Sequence, residues 1–180
     1  PCILRATISA LLPRSFTAID GKPNSEKQRA KIQSDALENN FSEEELLEAI
    51  DYAHLFGRKV YLTVNTLLKN AELTRKLYDY ILPFYRRGLD AVLVQDMGLV
   101  RTLRQCAPDL PVHASTQMTV HDLAGAIACK EMGFSRVVLS RELPLDEIRF
   151  ITERCGIETE VFCHGALCMC YSGQCYLSAA

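Results

Sequence analysis

The chain has 180 residues, 48% of them apolar, and a formal net charge of -2. That supplies a core for one domain or for part of a larger one, and no overall basic character that would draw the protein to nucleic acid, although a local patch can hide within a neutral total. No run of about 18 apolar residues is present to span a membrane, and Pro1-Cys2-Ile3-Leu4-Arg5 lacks the cationic start of a secretion signal, so a cytoplasmic protein is expected.

Residues 1–40 give no convincing strand–helix unit and are expected to form an atypical N-terminal segment. Thr7 to Leu12 fits a strand or a short helix, Pro13 to Pro23 a loop, and Ser25 to Glu38 a polar helix. From Phe41 the pattern is regular. Ser42-Glu43-Glu44-Glu45 has the form of a capping box, with Phe41 and Leu46 as its hydrophobic staple. The helix it opens runs to Gly57, and a strand follows at 60–65. A helix over 71–86 ends at Gly88. Strands are then expected at 91–95, 112–116, 136–140 and 160–163, separated by helices over 98–106, 120–132 and 145–154.

Short apolar strands alternating with helices imply an α/β protein whose parallel sheet is covered by helices. An open doubly wound sheet and a (β/α) barrel both satisfy the pattern. No glycine-rich phosphate loop follows any strand, which disfavours the dinucleotide-binding fold. The five clear units fall short of the eight units and roughly 250 residues of a full barrel. Residues 41–180 are therefore expected to form an incomplete or truncated TIM-type (β/α) barrel.

Active sites in such folds lie at the C-terminal ends of the strands. Those ends are polar here: Asn65-Thr66, Gln95-Asp96, Ser115-Thr116-Gln117, Ser140-Arg141-Glu142 and Cys163-His164-Gly165. Strand ends near solvent are often polar without function, but this set suits an anionic or polar ligand. Asn65, Gln95, Ser115, Thr116, Gln117 and Ser140 are the candidate substrate-binding groups. Arg141, Glu142, Asp96 and His164 are the candidate catalytic groups. Arg141 could grip a carboxylate or phosphate through its fork, or instead pair with Glu142, Asp146 or Asp96. His164 could move protons, ligate a metal, or be a hydrogen-bonded strand-end histidine. His113 lies within a strand and is expected in the core.

Eight cysteines are many for this length, and Cys163, Cys168, Cys170 and Cys175 crowd into the last strand and the loop after it. With a large aliphatic core and no secretion signal, metal binding or redox chemistry is favoured over disulfides. Grouped loop thiolates suit zinc or iron–sulfur ligation, although the spacing is not that of a zinc-finger pair. A cysteine nucleophile with His164 as base, or unliganded thiols, remain the alternatives.

The stretch from Glu160 to Ser178, EVFCHGALCMCYSGQCYLS, resembles the signature of the peptidase U32 (collagenase-like) family, and VYLTVNTL, DAVLVQD, HASTQM and RVVLSREL upstream resemble it too. The resemblance covers roughly residues 37–180. It implies a TIM-barrel-like fold and one of two activities: proteolysis of collagen-like or unfolded peptides, or hydroxylation of RNA bases or small aromatic quinone precursors. Some members carry a [4Fe–4S] cluster, and for those the resemblance implies that Cys168 and Cys175 match two of its four ligand positions. The other two would lie downstream, leaving the ligand set incomplete here unless Cys163 or Cys170 substitutes. No HExxH or GxSxG motif is present to specify a protease mechanism. Family members usually open with two further strand–helix units and continue well past the signature, so a fragment, an aberrant N-terminus or a divergent gene product is expected. An open barrel edge would leave the monomer poorly stable unless another segment, a second copy or a partner covers it. A non-catalytic accessory module is the third expectation.

Overall fold

The computed structural model describes residues 5–7, 42–65, 76–163 and 168–175. The loop at 13–23, the helix at 25–38, Phe41 of the staple and His164 fall outside the described residues. Six strands form one sheet: β1 (Arg5–Thr7), β2 (Tyr61–Val64), β3 (Ala91–Val94), β4 (Val112–Ala114), β5 (Arg136–Val138) and β6 (Glu158–Glu160). Their order across the sheet is the order along the chain. β2 to β6 run parallel, each pairing with the next. A doubly wound sheet reverses strand order at a switch point. Here every crossover steps in the same direction, as in a (β/α) barrel. β1 pairs antiparallel with β2, so the N-terminal segment contributes a strand outside the repeating unit.

Among the described residues, five helices fill the connections: α1 (Glu43–Leu55), α2 (Lys76–Arg87), α3 (Met97–Cys106), α4 (Leu123–Glu131) and α5 (Leu145–Arg154). The capping box forms as the sequence implies. Glu45 N–H donates to Ser42 Oγ at 3.2 Å, and Ser42 N–H donates to Glu45 Oε2 at 2.8 Å. Two of the otherwise orphaned donors of the first turn are thereby satisfied. At the other end Gly57 takes φ +64°, a conformation that favours glycine.

Side chains alternate across each strand. Leu62, Val64, Val92, Val94, Val112, Ala114 and Val137 pack with Leu46, Ile50, Phe84, Leu99, Leu103 and Ile151 from the helices into one core. The opposite parity carries a polar cluster. His113 meets Tyr61 edge to face with centroids 5.0 Å apart. The Arg136 guanidinium sits 5.3 Å from the Tyr61 ring centroid and donates to Glu158 at 2.9 Å and Glu160 at 3.0 Å. Burial of Arg136 is tolerable because both carboxylates and the ring face its charge.

This cluster explains one departure from expectation. The last strand was expected at 160–163, where the apolar run lies. The observed strand is Glu158–Glu160, in register with Arg136–Val138. Pairing with Arg136 draws the two glutamates into the sheet, and Val161 and Phe162 lie beyond it, 39% and 49% exposed. The strands expected at 112–116 and 136–140 also end early, the first because a 3-10 turn, Thr116–Met118, begins there.

Removing a fully buried core side chain should cost far more than removing an exposed one. Leu103→Ala is expected to lower unfolding free energy by about 2–5 kcal/mol, and Arg101→Ala, on the exposed side of α3, by under about 0.5 kcal/mol. Denaturant titration of both variants checks this, and equal losses would contradict the assigned helix face.

Candidate metal centre at the C-terminal rim

The parallel order brings the ends of β2, β3, β4 and β5 to one rim. Asn65, after β2, accepts a hydrogen bond on its backbone carbonyl from the Gln95 side-chain amide. Asp96 caps α3, its Oδ1 accepting from Leu99 N–H at 3.0 Å. Ser115 is buried and caps the 3-10 turn through Gln117 N–H at 3.2 Å. Thr116 Oγ1 donates to Leu139 O at 3.4 Å, and Gln117 is exposed. Ser140 is buried, and neither its Oγ nor Asn65 Oδ1 finds a hydrogen-bond partner among the described residues. Asp96 and Ser115 are thus engaged in holding local backbone, whereas Asn65 and Ser140 keep acceptor or donor capacity in hand.

The cysteine loop lies against this rim. The Sγ atoms of Cys168, Cys170 and Cys175 all lie within 4.8 Å of one another. Neighbouring Cys175 and Cys168 push the Cys170 thiol above its ordinary pKa, because a thiolate there would stand against the adjacent sulfurs. A metal ion relieves such crowding by replacing protons with one shared positive charge. In a tetrahedral thiolate site with metal–sulfur bonds of about 2.3 Å, sulfurs sit roughly 3.8 Å apart; the three sulfurs here, all within 4.8 Å of one another, are near enough for one ion to reach all of them, so the donor set fits a metal. Cys163 is exposed and is not a member of the group. Cys106, Cys129 and Cys155 lie in or against the core.

The loop is held chiefly through Ser172, which is 2% exposed. Its N–H donates to Glu142 Oε1 at 2.7 Å, and its hydroxyl lies 3.2 Å from the same oxygen. The hydroxyl also accepts from Arg141 N–H at 3.2 Å and from Arg141 Nε at 3.3 Å. The Ser172 carbonyl accepts from Thr119 Oγ1 at 2.8 Å. The remaining Arg141 nitrogens donate to the carbonyls of Cys168 at 2.5 Å and Cys170 at 2.7 Å. Next along the chain, Gly173 takes φ +75°, and a Cβ there would lie 2.4 Å from Gln117 O, so only glycine lets the loop lie this close to the 3-10 turn. Partial burial of Glu142 is outweighed by the bonds from Ser172 and the nearby Arg141 charge, and its carboxyl stays below the usual range.

Nothing in the sequence marks Thr119, and Ser172 and Gly173 stand out there only as part of the stretch that resembles the family signature. The two glycines interspersed among the cysteines, Gly165 and Gly173, hint at a tight loop, but nothing local points to Ser172 as the anchor. Arg141 and Glu142 were singled out, as catalytic candidates, and the structure places them on the loop.

The fold and site together define a singly wound parallel α/β protein of barrel type, with a thiol centre at the C-terminal rim. The family model for peptidase family U32 matches residues 29–180, and the chain belongs to that family. It is 41% identical over 136 residues to the 23S rRNA 5-hydroxycytidine C2501 synthase of Escherichia coli, covering 76% of this chain and 20% of that protein. It is 41% identical over 141 residues to tRNA hydroxylation protein P of the same organism, covering 78% of this chain and 31% of the relative. An uncharacterized protease of Methanocaldococcus jannaschii is 40% identical over 146 residues, with 78% and 35% covered. The chain therefore spans between a fifth and about a third of these curated relatives. Among solved structures, the U32 peptidase Mk0906 superposes with TM-score 0.55 at 22% identity, covering 67% of this chain and 51% of that one. A CutC protein from Streptococcus agalactiae gives TM-score 0.53 at 19% identity, with 67% and 69% covered. These two likenesses bear on the fold and agree with the barrel-type winding. None of the helices described is long and apolar enough to cross a membrane.

The buried imidazole gives the structure a pH signature. Burial first, then the charges of Arg136 and Lys59, push the His113 pKa down to about 4, from about 6.5 when unfolded. The neutral ring is thus favoured in the folded state. Its contribution is fully present above about pH 6.5 and is lost as pH falls toward 4, amounting to about 3 kcal/mol at most. Unfolding free energies at pH 7 and pH 5 should differ clearly in the wild type and much less in His113→Phe, which keeps the ring contact with Tyr61. Parallel losses in the two proteins would show that another group titrates.

Proposed function

We propose that the protein takes part in hydroxylating RNA bases, with the Cys168–Cys170–Cys175 loop contributing ligands to an iron–sulfur centre. The observation that carries this reading is the convergence of three thiols within 4.8 Å at the rim where parallel α/β folds place their chemistry. The names of the RNA-hydroxylating relatives, at 41% identity, support the same reading. Converting a ring C–H into C–OH is a two-electron oxidation: either an oxygen-atom donor is itself reduced, or water supplies the oxygen and a separate acceptor takes the electron pair. No ordinary side chain accepts electrons in that way. When bound, an iron–sulfur cluster would supply the redox capacity, with a potential set by its surroundings.

The chain's own residues have definable tasks in this reading. Cys168 and Cys175 are the ligands that the family pattern implies, and Cys170 is the third thiol that the geometry adds. Because the ligands of one cluster can come from distant parts of a chain, a further ligand would come from outside this loop. Asn65 and Ser140, each with a buried polar atom unpartnered among the described residues, are the groups poised to meet polar edges of a base, with Gln95 bonded to the Asn65 carbonyl and the exposed Gln117 as further candidates. A net charge of -2 provides no general pull on phosphates, so recognition would rest on such local contacts. Asp96 serves as a helix cap.

The peptidase reading has the family's name behind it, but no described serine hydroxyl is seen bonded to a histidine base, and no zinc-protease motif occurs. Mass spectrometry of nucleosides from tRNA and rRNA tests the proposal, in cells lacking the RNA-hydroxylating relatives and expressing this protein. A hydroxylated pyrimidine should appear with the wild type and fall at least tenfold with Cys168→Ala/Cys175→Ala. Absence of any hydroxylated nucleoside with a soluble, expressed protein would count against RNA as the substrate.

A further inference from the structure

We infer that Arg141 and Glu142 are positioning residues of the cysteine centre, gripping Ser172 from two sides and so setting how firmly the loop holds a metal. This rests on the reading of the loop as a metal centre, and it assigns the strand-end pair a task other than catalysis or anion binding.

Consecutive residues leaving β5 project to different sides. Arg141 reaches the loop with four donors: its backbone N–H and Nε to Ser172 Oγ, and its two terminal nitrogens to the carbonyls of Cys168 and Cys170. Glu142 accepts from Ser172 N–H on the other side. The guanidinium fork is occupied by the carbonyls of two of the three converging cysteines, and its side chain is only 14% exposed. It cannot offer a substrate carboxylate the two-pronged contact that makes arginine a good anion receptor without releasing the loop. Held there, its fixed positive charge lies beside residues whose thiolates would carry negative charge, and it favours the more reduced, more negative state of any centre they bind. Lysine has the charge but not the fork, so it can replace only part of this. Outer groups that orient metal ligands typically govern affinity by roughly 10–100-fold.

Arg141→Met, Arg141→Lys and the isosteric Glu142→Gln would be prepared anaerobically beside the wild type and Cys168→Ala/Cys175→Ala. Iron loss to a chelator and the midpoint potential are measured on the loaded proteins. Reaction of Cys168, Cys170 and Cys175 with a thiol-reactive disulfide is followed on the metal-free proteins. Arg141→Met should lose iron at least tenfold faster and at a lower potential. Arg141→Lys should keep the potential near that of the wild type while still losing iron faster, and Glu142→Gln should lose iron several-fold faster. In metal-free protein the loop thiols of Arg141→Met and Glu142→Gln should react several-fold faster, with unchanged circular dichroism. Wild-type rates and potential in both variants would overturn the assignment. If the wild type holds no more iron than the cysteine variant, the metal reading fails, and the thiol rates alone decide the clamp: acceleration upholds it, and wild-type rates overturn it.

Discussion

Parallel pairing of β2 through β6 in unbroken chain order is the constraint on which the rest depends. A parallel strand must be followed by a crossover before the next can pair, and every crossover here steps the same way. All five strand ends therefore face one direction, and residues some 20–30 positions apart in sequence arrive as neighbours on one rim. A single reversal of order would have divided Asn65, Gln95, Ser115 and Ser140 between two regions. The polar cluster of Tyr61, His113, Arg136, Glu158 and Glu160 fixes register at the last pair, because the buried guanidinium is compensated only when both glutamates stand opposite it.

The cysteine loop lies outside the sheet and has no strand to order it. Its fixed point is a serine hydroxyl and peptide held by an arginine, a glutamate and a threonine from two other strand ends. Ordering an irregular loop costs backbone entropy for each residue. Several charge-assisted bonds converging on one buried residue are an effective way to offset that cost. The three sulfurs are then displayed on a frame that the barrel-type sheet keeps rigid, a better support for a metal site than a free loop.

Much of the fold was legible because it is written locally. The Ser42/Glu45 box, the 3.6-residue periodicity of α1, α3 and α5, and the aliphatic strands at 61–64, 91–94 and 112–114 all announce themselves within a few residues. The last strand was misplaced because its residues, Glu158 to Glu160, are polar and are drawn into the sheet by Arg136, 22 to 24 positions away. The cysteine cluster was visible as composition, and the resemblance selected Cys168 and Cys175. That Cys170 joins them while Cys163 does not is a matter of three-dimensional placement. The contacts of Ser172 span 30, 31 and 53 positions, and periodicity carries no information over such separations. Arg141 was noticed as a charge at a strand end, but whether its fork faced a ligand or a neighbouring loop could be decided only by seeing where that loop lies.

The most direct test of the central claim, that the rim-held cysteine loop is a metal centre, is iron and acid-labile sulfide content in anaerobically purified protein, compared with Cys168→Ala/Cys175→Ala at matched folding. The account predicts iron and sulfide together in the wild type and their loss in the variant. A folded wild type containing neither, or a variant that retains both, would contradict it.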